Sequence, residues 1–319
     1  MTIEHACLQA VHKPWGSTDL QPWSELQADG IAIGELWFQR ADTTAPPPAL
    51  LLKLLFTKEA LSIQVHPDDA FAQSIGLSLG KPEAWYILSA TPGAKVAIGL
   101  KWQLTAPQLR ASIEDGSIAD LVQWHLVLKD DVVFVPAGTI HAIGPELVIA
   151  EIQPRSDATF RLFDYGRQRE LHVHNAVAAA HAGPAEPQPI QKRLTEARTL
   201  LVACSHFVLE RIDLLSESNW ELHAEHETWL FVLEGHARIG LMNASPGEAM
   251  FLEAEDTSIK VGAEGLKGLL AYLAAEPSTS LLHSRERHKE SSPIHRFSRP
   301  PLLHRATAGS PVRSTEARP

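Results

Sequence analysis

Cysteine is almost absent from the 319 residues: Cys7 and Cys204 lie far apart in the chain. Two such residues are too few for a disulfide framework or a cysteine-built metal site, and they fit a reducing cytoplasm. No apolar run reaches the ~18 residues that a membrane span needs, and the opening MTIEHACLQAVHKPWG lacks the build of a secretory leader. Basic residues are short as well. Lys+Arg 28 against Asp+Glu 38 leaves a net charge of −10, which argues against a nucleic-acid binder. With 45% hydrophobic and 21% charged residues, what remains is a soluble globular protein long enough for a large core.

The charge is unevenly spread. Residues 280–319 hold eight Lys/Arg against three Asp/Glu, with five prolines and no sustained apolar period, and read as a disordered basic tail on an acidic body. Within the body, β-branched and aromatic runs bounded by Gly, Pro and Asp predict strands at 50–57 (LLLKLLFT), 61–66, 83–88, 94–100, 131–138, 146–153 and 159–165. A second all-β run covers 206–214, 228–242, 248–254 and 268–275. Helices are expected at 20–27, 67–76 and 170–183, and in a segment at about 105–128 that opens with Thr105 as N-cap and Pro107 in the first turn. Trp102, Trp124 and Trp229 read as core residues. The Pro-rich GPAEPQPIQ (183–191) marks a boundary between residues 1–184 and 192–279. Antiparallel runs in both halves, with helices set to one end, predict a mainly β chain of two related small barrels.

One constellation carries chemistry. Gln64 and His66 alternate on one strand and therefore share a face. Glu83 opens the next strongly apolar strand, and Pro136-Ala137-Gly138-Thr139-Ile140-His141 delivers a second histidine at the head of another. Any one of these residues alone reads as a solvated or hydrogen-bonded side chain. A QxH, a Glu and a PxGxxH on successive β-segments read together as a site for Zn²⁺ or another borderline divalent ion.

With LLLKLLFTKEALSIQVHPDD, GKPEAWYIL, DVVFVPAGTIHAIG and EIQPRSDATFRLFDYGRQRELHV in place, the chain resembles the type I mannose-6-phosphate isomerases (phosphomannose isomerases), zinc enzymes of the cupin superfamily. HKPWGSTDL is similar to the family's Trp-Gly motif. The resemblance is dense over residues 13–175, and QVHPDD with KPE and PAGTIHAIG is specific to this family. It implies two cupin (jelly-roll) barrels: a catalytic one over residues 1–184 with a small helical segment, and a degenerate one over 192–279. It implies one Zn²⁺ per chain held by Gln64, His66, Glu83 and His141. Only 57 residues separate Glu83 from His141, so the helical insertion of longer members is reduced, as in the compact bacterial type. The basic tail has no counterpart in the resemblance.

The activity implied is interconversion of mannose 6-phosphate and fructose 6-phosphate, with a small-molecule sugar phosphate as partner, no nucleic acid or membrane, and the oligomeric state left open. Arg161 matches the family's active-site arginine and is expected to meet either the phosphate or the enediolate oxygens. Lys53 sits in a strand apolar on both faces, where an unpartnered ammonium is expensive, so it is expected to face the pocket. Lys81 is in phase with Glu83, and Ser62 with Gln64 and His66; both are expected to serve substrate. Glu151, in apolar LVIAEIQ, is the first expectation for the general base, with a lysine or a metal-bound water as alternatives. His172 and His174 belong to a run that reads helical, where i and i+2 diverge. Two further readings are an iron or manganese cupin oxygenase or isomerase, and a catalytically inactive sugar-phosphate sensor.

Overall fold

Leu50–Thr57 is a strand whose eight residues are all buried, and the reason lies in what covers each face. In the computed structural model, which describes residues 2–26 and 29–285, it sits inside a six-stranded antiparallel sheet between Ile33–Gln39 and Leu147–Pro154. Leu50, Leu52, Leu54 and Phe56 point to one side and join a core with Trp229, Phe231 and Phe251 of the C-terminal half. Leu55 points to the other, with Trp85, Ile87 and Ile149, against Val96, Ile98 and Ile143 of a five-stranded sheet. A sheet covered on both faces reads as a continuous apolar run instead of an alternating one.

The layers follow from these contacts. Helices Ala106–Glu114, Ile118–Leu121 and Val173–Ala179 cover the outer face of the five-stranded sheet, burying Leu109, Ile113, Ile118 and Ala176 against Ile63, Val65, Ile140 and Leu162. Beyond the six-stranded sheet lies a ten-stranded one that also encloses a core of its own, with Val232, Ile239, Met250 and Ile259. Thr105 caps its helix in a reciprocal box with Gln108, and Pro107 lies in the first turn, as the sequence predicts. With 21 strands and four helices among the described residues, the mainly β expectation holds.

Several expectations need correction. Of the helix expected at 20–27, the described residues 20–26 form none: Trp23 and Ser24 donate to the Leu20 carbonyl, but Pro22 cannot donate, and one turn without caps does not propagate. The helical segment ends at Leu121, and Val122–Leu126 is an edge strand of the five-stranded sheet. Trp102 is 53% exposed, whereas Trp229 is core. The boundary near 184–192 is crossed by the first strand, because Thr2–His5 pairs with Ala249–Glu253 of the ten-stranded sheet. The tail does not begin at 280: Leu282–Ser284 pairs with Asn219–Ala224, and Leu281 and Leu282 are buried. The rest of the expected tail lies outside the described residues. No described helix is long and apolar enough to cross a bilayer.

A chain ending at residue 279 should therefore be less stable than one ending at residue 285. Each buried leucine lost from a core costs about 2–5 kcal/mol, and both Leu281 and Leu282 would go. Equal denaturant midpoints for the two chains would show that the final strand adds nothing to the fold.

Candidate metal centre

Three motifs far apart in the sequence are joined through their backbones. Gln64 is the register partner of His141 on one side and of Arg161 on the other. The Gly138 N–H donates to the His66 carbonyl at 2.7 Å, and the Lys81 N–H to the Pro67 carbonyl at 3.0 Å. Gly138 has φ +85, and a Cβ there would lie 3.3 Å from Ala179 O and from the His181 ring, so the PAGTIH turn requires glycine. At Gly80 a Cβ would lie 2.7 Å from backbone atoms of Pro67, Asp68 and Asp69. That close approach lets the Lys81-Pro82-Glu83 segment run beside His66.

The side chains then converge. His66 Nδ1 lies 2.7 Å from Ala158 O and His141 Nδ1 2.8 Å from Thr139 O. A carbonyl oxygen only accepts, so both Nδ1 atoms carry the proton and both Nε2 atoms present a lone pair. His66 Nε2 is 3.1 Å from Glu83 Oε1, and His141 Nε2 is 3.7 Å from Glu83 Oε2. Lone pairs facing a carboxylate repel one another unless a cation lies between them. Ligands held about 2.0–2.1 Å from a tetrahedral zinc are about 3.3 Å apart, close to these spacings. The donor set therefore fits a divalent ion of the zinc kind, and the Nδ1 anchors are the outer supports such ligands ordinarily have. Gln64 is within reach, its amide nitrogen 3.3 Å from His141 Nε2, while Ser62 Oγ donates to Gln64 Oε1 at 3.1 Å. To coordinate through oxygen its amide must turn over, which exchanges two atoms of equal shape.

Opposite these groups runs a polar row across the six-stranded sheet. Trp37, Lys53, Glu151 and Trp85 are successive register partners on four adjacent strands. Lys53 Nζ donates to Glu151 Oε1 at 2.9 Å and to Gln153 Oε1 at 2.7 Å, and Trp85 Nε1 donates to Glu151 Oε2 at 3.1 Å and to Glu83 Oε2 at 3.2 Å. Lys81 Nζ lies 3.1 Å from Glu83 Oε1 and 3.4 Å from His66 Nε2. Lys53 thus lines the cavity as expected, but two of its three donors are already taken, so it acts on Glu151 more directly than on a ligand.

The electrostatics follow from burial among charges. Burial pushes His141 down to about 3, helped by neighbouring His66, and lowers His66 too. Burial would raise Glu83, but His66 and Lys81 beside it hold it well below the usual carboxylate range; with His66 neutral, Lys81 is the cation that matters. Glu151 is raised, by burial first and then by Glu83. Burial would lower Lys53, but Glu151 and Glu35 outweigh it and hold the ammonium charged.

Gln64, Glu83, Lys53, Lys81, Ser62, Glu151 and Arg161 all line one polar cavity of about 320 Å³. Two larger hollows, about 600 and 520 Å³, follow the 184–191 segment and contain none of them; volume alone is a poor guide here. Arg161 donates through one terminal nitrogen to Glu170 O at 2.7 Å, and its Nε is buried without a partner among the described residues. His172 Nδ1 accepts the Arg161 backbone N–H, and His174 lies in the following helix.

The sequence reading missed Lys13, Glu35, Trp37, Asp157, Thr159 and Arg169, which also line the cavity. Glu35 had a visible signal. It is a carboxylate in apolar IGELWF, two residues before Trp37, whose indole donates to it at 2.6 Å. Lys13 reaches it at 3.3 Å and Lys53 at 3.9 Å.

No family model matches the chain. It is similar to a mannose-6-phosphate isomerase of Streptococcus mutans, 36% identical over 189 residues, which is 56% of this chain and 60% of that protein. It is similar also to the mannose-6-phosphate isomerase ManA of Bacillus subtilis, 31% identical over 232 residues, 66% of this chain and 70% of that protein. The match therefore spans less than two thirds of the first relative's length. Among solved structures, the mannose 6-phosphate isomerase from Bacillus subtilis superposes with a TM-score of 0.75 at 24% identity, covering 86% of this chain and 100% of that one. A mutant of phosphomannose isomerase from Salmonella typhimurium gives 0.67 at 13% identity, with 86% and 100% covered. At these identities the superpositions establish a shared mainly β, cupin-like fold.

The depressed histidines give a pH dependence for the metal-free protein. An imidazole that titrates near 6.5 when unfolded, and near 3 for His141 in the fold, binds a proton in the unfolded chain first. Stability is then fully present above about 6.5 and is lost as pH falls towards about 3. Urea midpoints of metal-free protein should fall between about pH 7 and about pH 5, and less so for His141→Asn, which cannot take the proton. A midpoint flat across that interval would mean that the imidazoles are not held neutral.

Proposed function

The chain belongs to the mannose-6-phosphate isomerase family, and from that premise we propose that it is a zinc-dependent isomerase interconverting mannose 6-phosphate and fructose 6-phosphate. The observation that carries the reading is the convergence of two Nδ1-anchored imidazoles and Glu83 beside a cavity that also holds Glu151, Lys81 and Arg161. Gln64, His66, Glu83 and His141 would hold the ion, with the catalytic part of the chain lying before Pro184. When bound, zinc supplies Lewis-acid polarisation of substrate oxygens and electrostatic stabilisation of the enediolate.

The remaining steps fall to side chains. The reaction takes a proton from C2 and returns one to C1, while the carbonyl passes from C1 to C2 and a proton moves between the two oxygens. Glu151 takes the C2 proton and returns it to C1; its raised pKa suits a group that must both accept and release a proton near neutrality. Lys53 holds Glu151 in place through one carboxylate oxygen and Trp85 through the other. Lys81 offers its ammonium to a substrate oxygen from its position between Glu83 and Thr159, and Ser62 a hydroxyl. The unpartnered Nε–H of Arg161 is satisfied by an anionic oxygen of the substrate, since a buried donor left without an acceptor is costly. Five cationic residues against four carboxylates line the cavity before any divalent ion is added, a balance that favours a dianionic sugar phosphate.

A coupled isomerase assay on metal-free and zinc-reconstituted protein tests the reading. Activity should be absent without metal and restored by zinc, and His141→Ala should lose bound zinc and turnover together. Full turnover by metal-free protein would remove the Lewis-acid role. Restoration by iron or manganese but not zinc, or metal binding with no turnover of mannose 6-phosphate, would favour the oxygenase or the sensor instead.

Arg161→Ala should lower turnover far more than zinc content, because a guanidinium is no zinc ligand. Glu151→Gln should keep fold and zinc yet lose ~10²–10⁴ in turnover, the usual contribution of a general acid–base group. Near-normal turnover in either variant would remove that residue from its role.

A further inference from the structure

The indole of Trp85 is fully buried, and its single N–H faces two carboxylates at once, Glu83 Oε2 at 3.2 Å and Glu151 Oε2 at 3.1 Å. The ring also lies edge-on to His141, with centroids 5.5 Å apart and planes at 68°. One side chain therefore touches two of the expected zinc ligands and the proposed base. Two carboxylates drawn to one donor would otherwise repel across a dry interior, where unscreened like charges are costly. The shared N–H fixes their separation and turns Glu83 Oε2 to a set direction.

The same local arrangement occurs elsewhere without the metal ligands. In Glu227-Thr228-Trp229 the indole of Trp229 donates to Glu227 Oε1 at 3.1 Å, again two residues back along a strand. Glu227, however, accepts the Ala49 and Leu50 backbone N–H groups, so there the pair fastens one strand to another. Trp229 is as buried as Trp85. The protein thus contains a matched control for the chemistry of the pair.

We infer that Trp85 is a positioning residue for the metal centre: its N–H, divided between Glu83 and Glu151, holds the ligand carboxylate in its coordinating orientation and couples it to the proton-transferring acid. The inference rests on the metal centre proposed above. Outer-shell partners of this kind are worth about 10–100-fold in metal affinity.

The test is the zinc dissociation constant, measured by competition with a chromophoric chelator, for the unaltered chain, Trp85→Phe and Trp229→Phe. Both variants lose an indole N–H and the same volume, so a purely structural effect would appear in both. Trp85→Phe should bind zinc about 10–100-fold more weakly, with Trp229→Phe unchanged. Equal affinity in Trp85→Phe and the unaltered chain, or equal weakening in both variants, would overturn the inference. Should Trp85→Phe fail to fold, the indole N–H resonances of the eight tryptophans decide. Adding zinc to the metal-free chain and replacing Glu151 by Gln should each move one and the same signal; if no signal responds to both, the N–H is not shared. An unaltered chain that binds no zinc at all would instead sink the metal centre itself, a separate outcome.

Discussion

The burial of Lys53 against Glu151 is the constraint around which the N-terminal half is arranged. Both lie mid-strand in a sheet packed on each side by apolar layers, where an isolated charge would be strongly penalised. The pair survives because its hydrogen bonds are nearly complete: Gln153 accepts from the lysine, Trp85 donates to the glutamate, and Glu35 adds a second negative charge near the ammonium. Breaking one partner would leave the other unpaired in the interior. The polar row must therefore have a wet or ligand-filled side, and the five-stranded sheet opens a cavity there instead of packing against it.

The two sheets contribute different things to that cavity. The five-stranded sheet brings Gln64, His141 and Arg161 into one rung by register alone, with His66 just beyond the same strand. The six-stranded sheet supplies Glu83 and the Lys53–Glu151 row. Neither sheet carries all of these side chains, so they can meet only once the sheets have packed through Ile98, Ile143, Ile87 and Ile149. Core packing thus decides the geometry of the chemistry, and the backbone bonds from Gly138 to His66 and from Lys81 to Pro67 fix what packing alone would leave loose.

This division explains what could be read from the sequence. Strands with strong β-branched or aromatic character were legible, and Leu50–Thr57 agrees to the residue. The convergence of Gln64, His66, Glu83 and His141 was legible because polar side chains of metal-binding type at successive strand ends stand out in apolar runs. Glu35 and Lys13 were less so: the signal in their strands, Ile33–Gln39 and Cys7–Ser17, is a charge two residues before a tryptophan, which does not say what the charge faces. Their meaning appears only when Gly16 and Gly34 allow the two backbones to approach, since a Cβ on either would lie 2.5 Å from atoms of the other strand. The turn at 21–23 and the final strand Leu282–Ser284 were missed for the opposite reason. Short segments carry too little periodicity to distinguish a strand from a tail or a turn from a helix.

The C-terminal half shows how one local device takes on different work according to what surrounds it. Glu83-Ala84-Trp85 and Glu227-Thr228-Trp229 each place an indole N–H on the carboxylate two residues earlier. At Glu83 the other neighbours are imidazole lone pairs and an ammonium, so the carboxylate is free to serve as a ligand in the proposed metal centre. At Glu227 they are the amides of Ala49 and Leu50, which open the strand that carries Lys53. Burial raises Glu227 while those amides and the Trp229 indole oppose the shift. The second half therefore braces the strand, holding the start of Leu50–Thr57 through Glu227 and covering its outer face with Trp229, Phe231 and Phe251. A ligand set is not needed for that task. What is needed is an apolar face over Leu50, Leu52, Leu54 and Phe56 and a carboxylate that accepts the Ala49 and Leu50 amides.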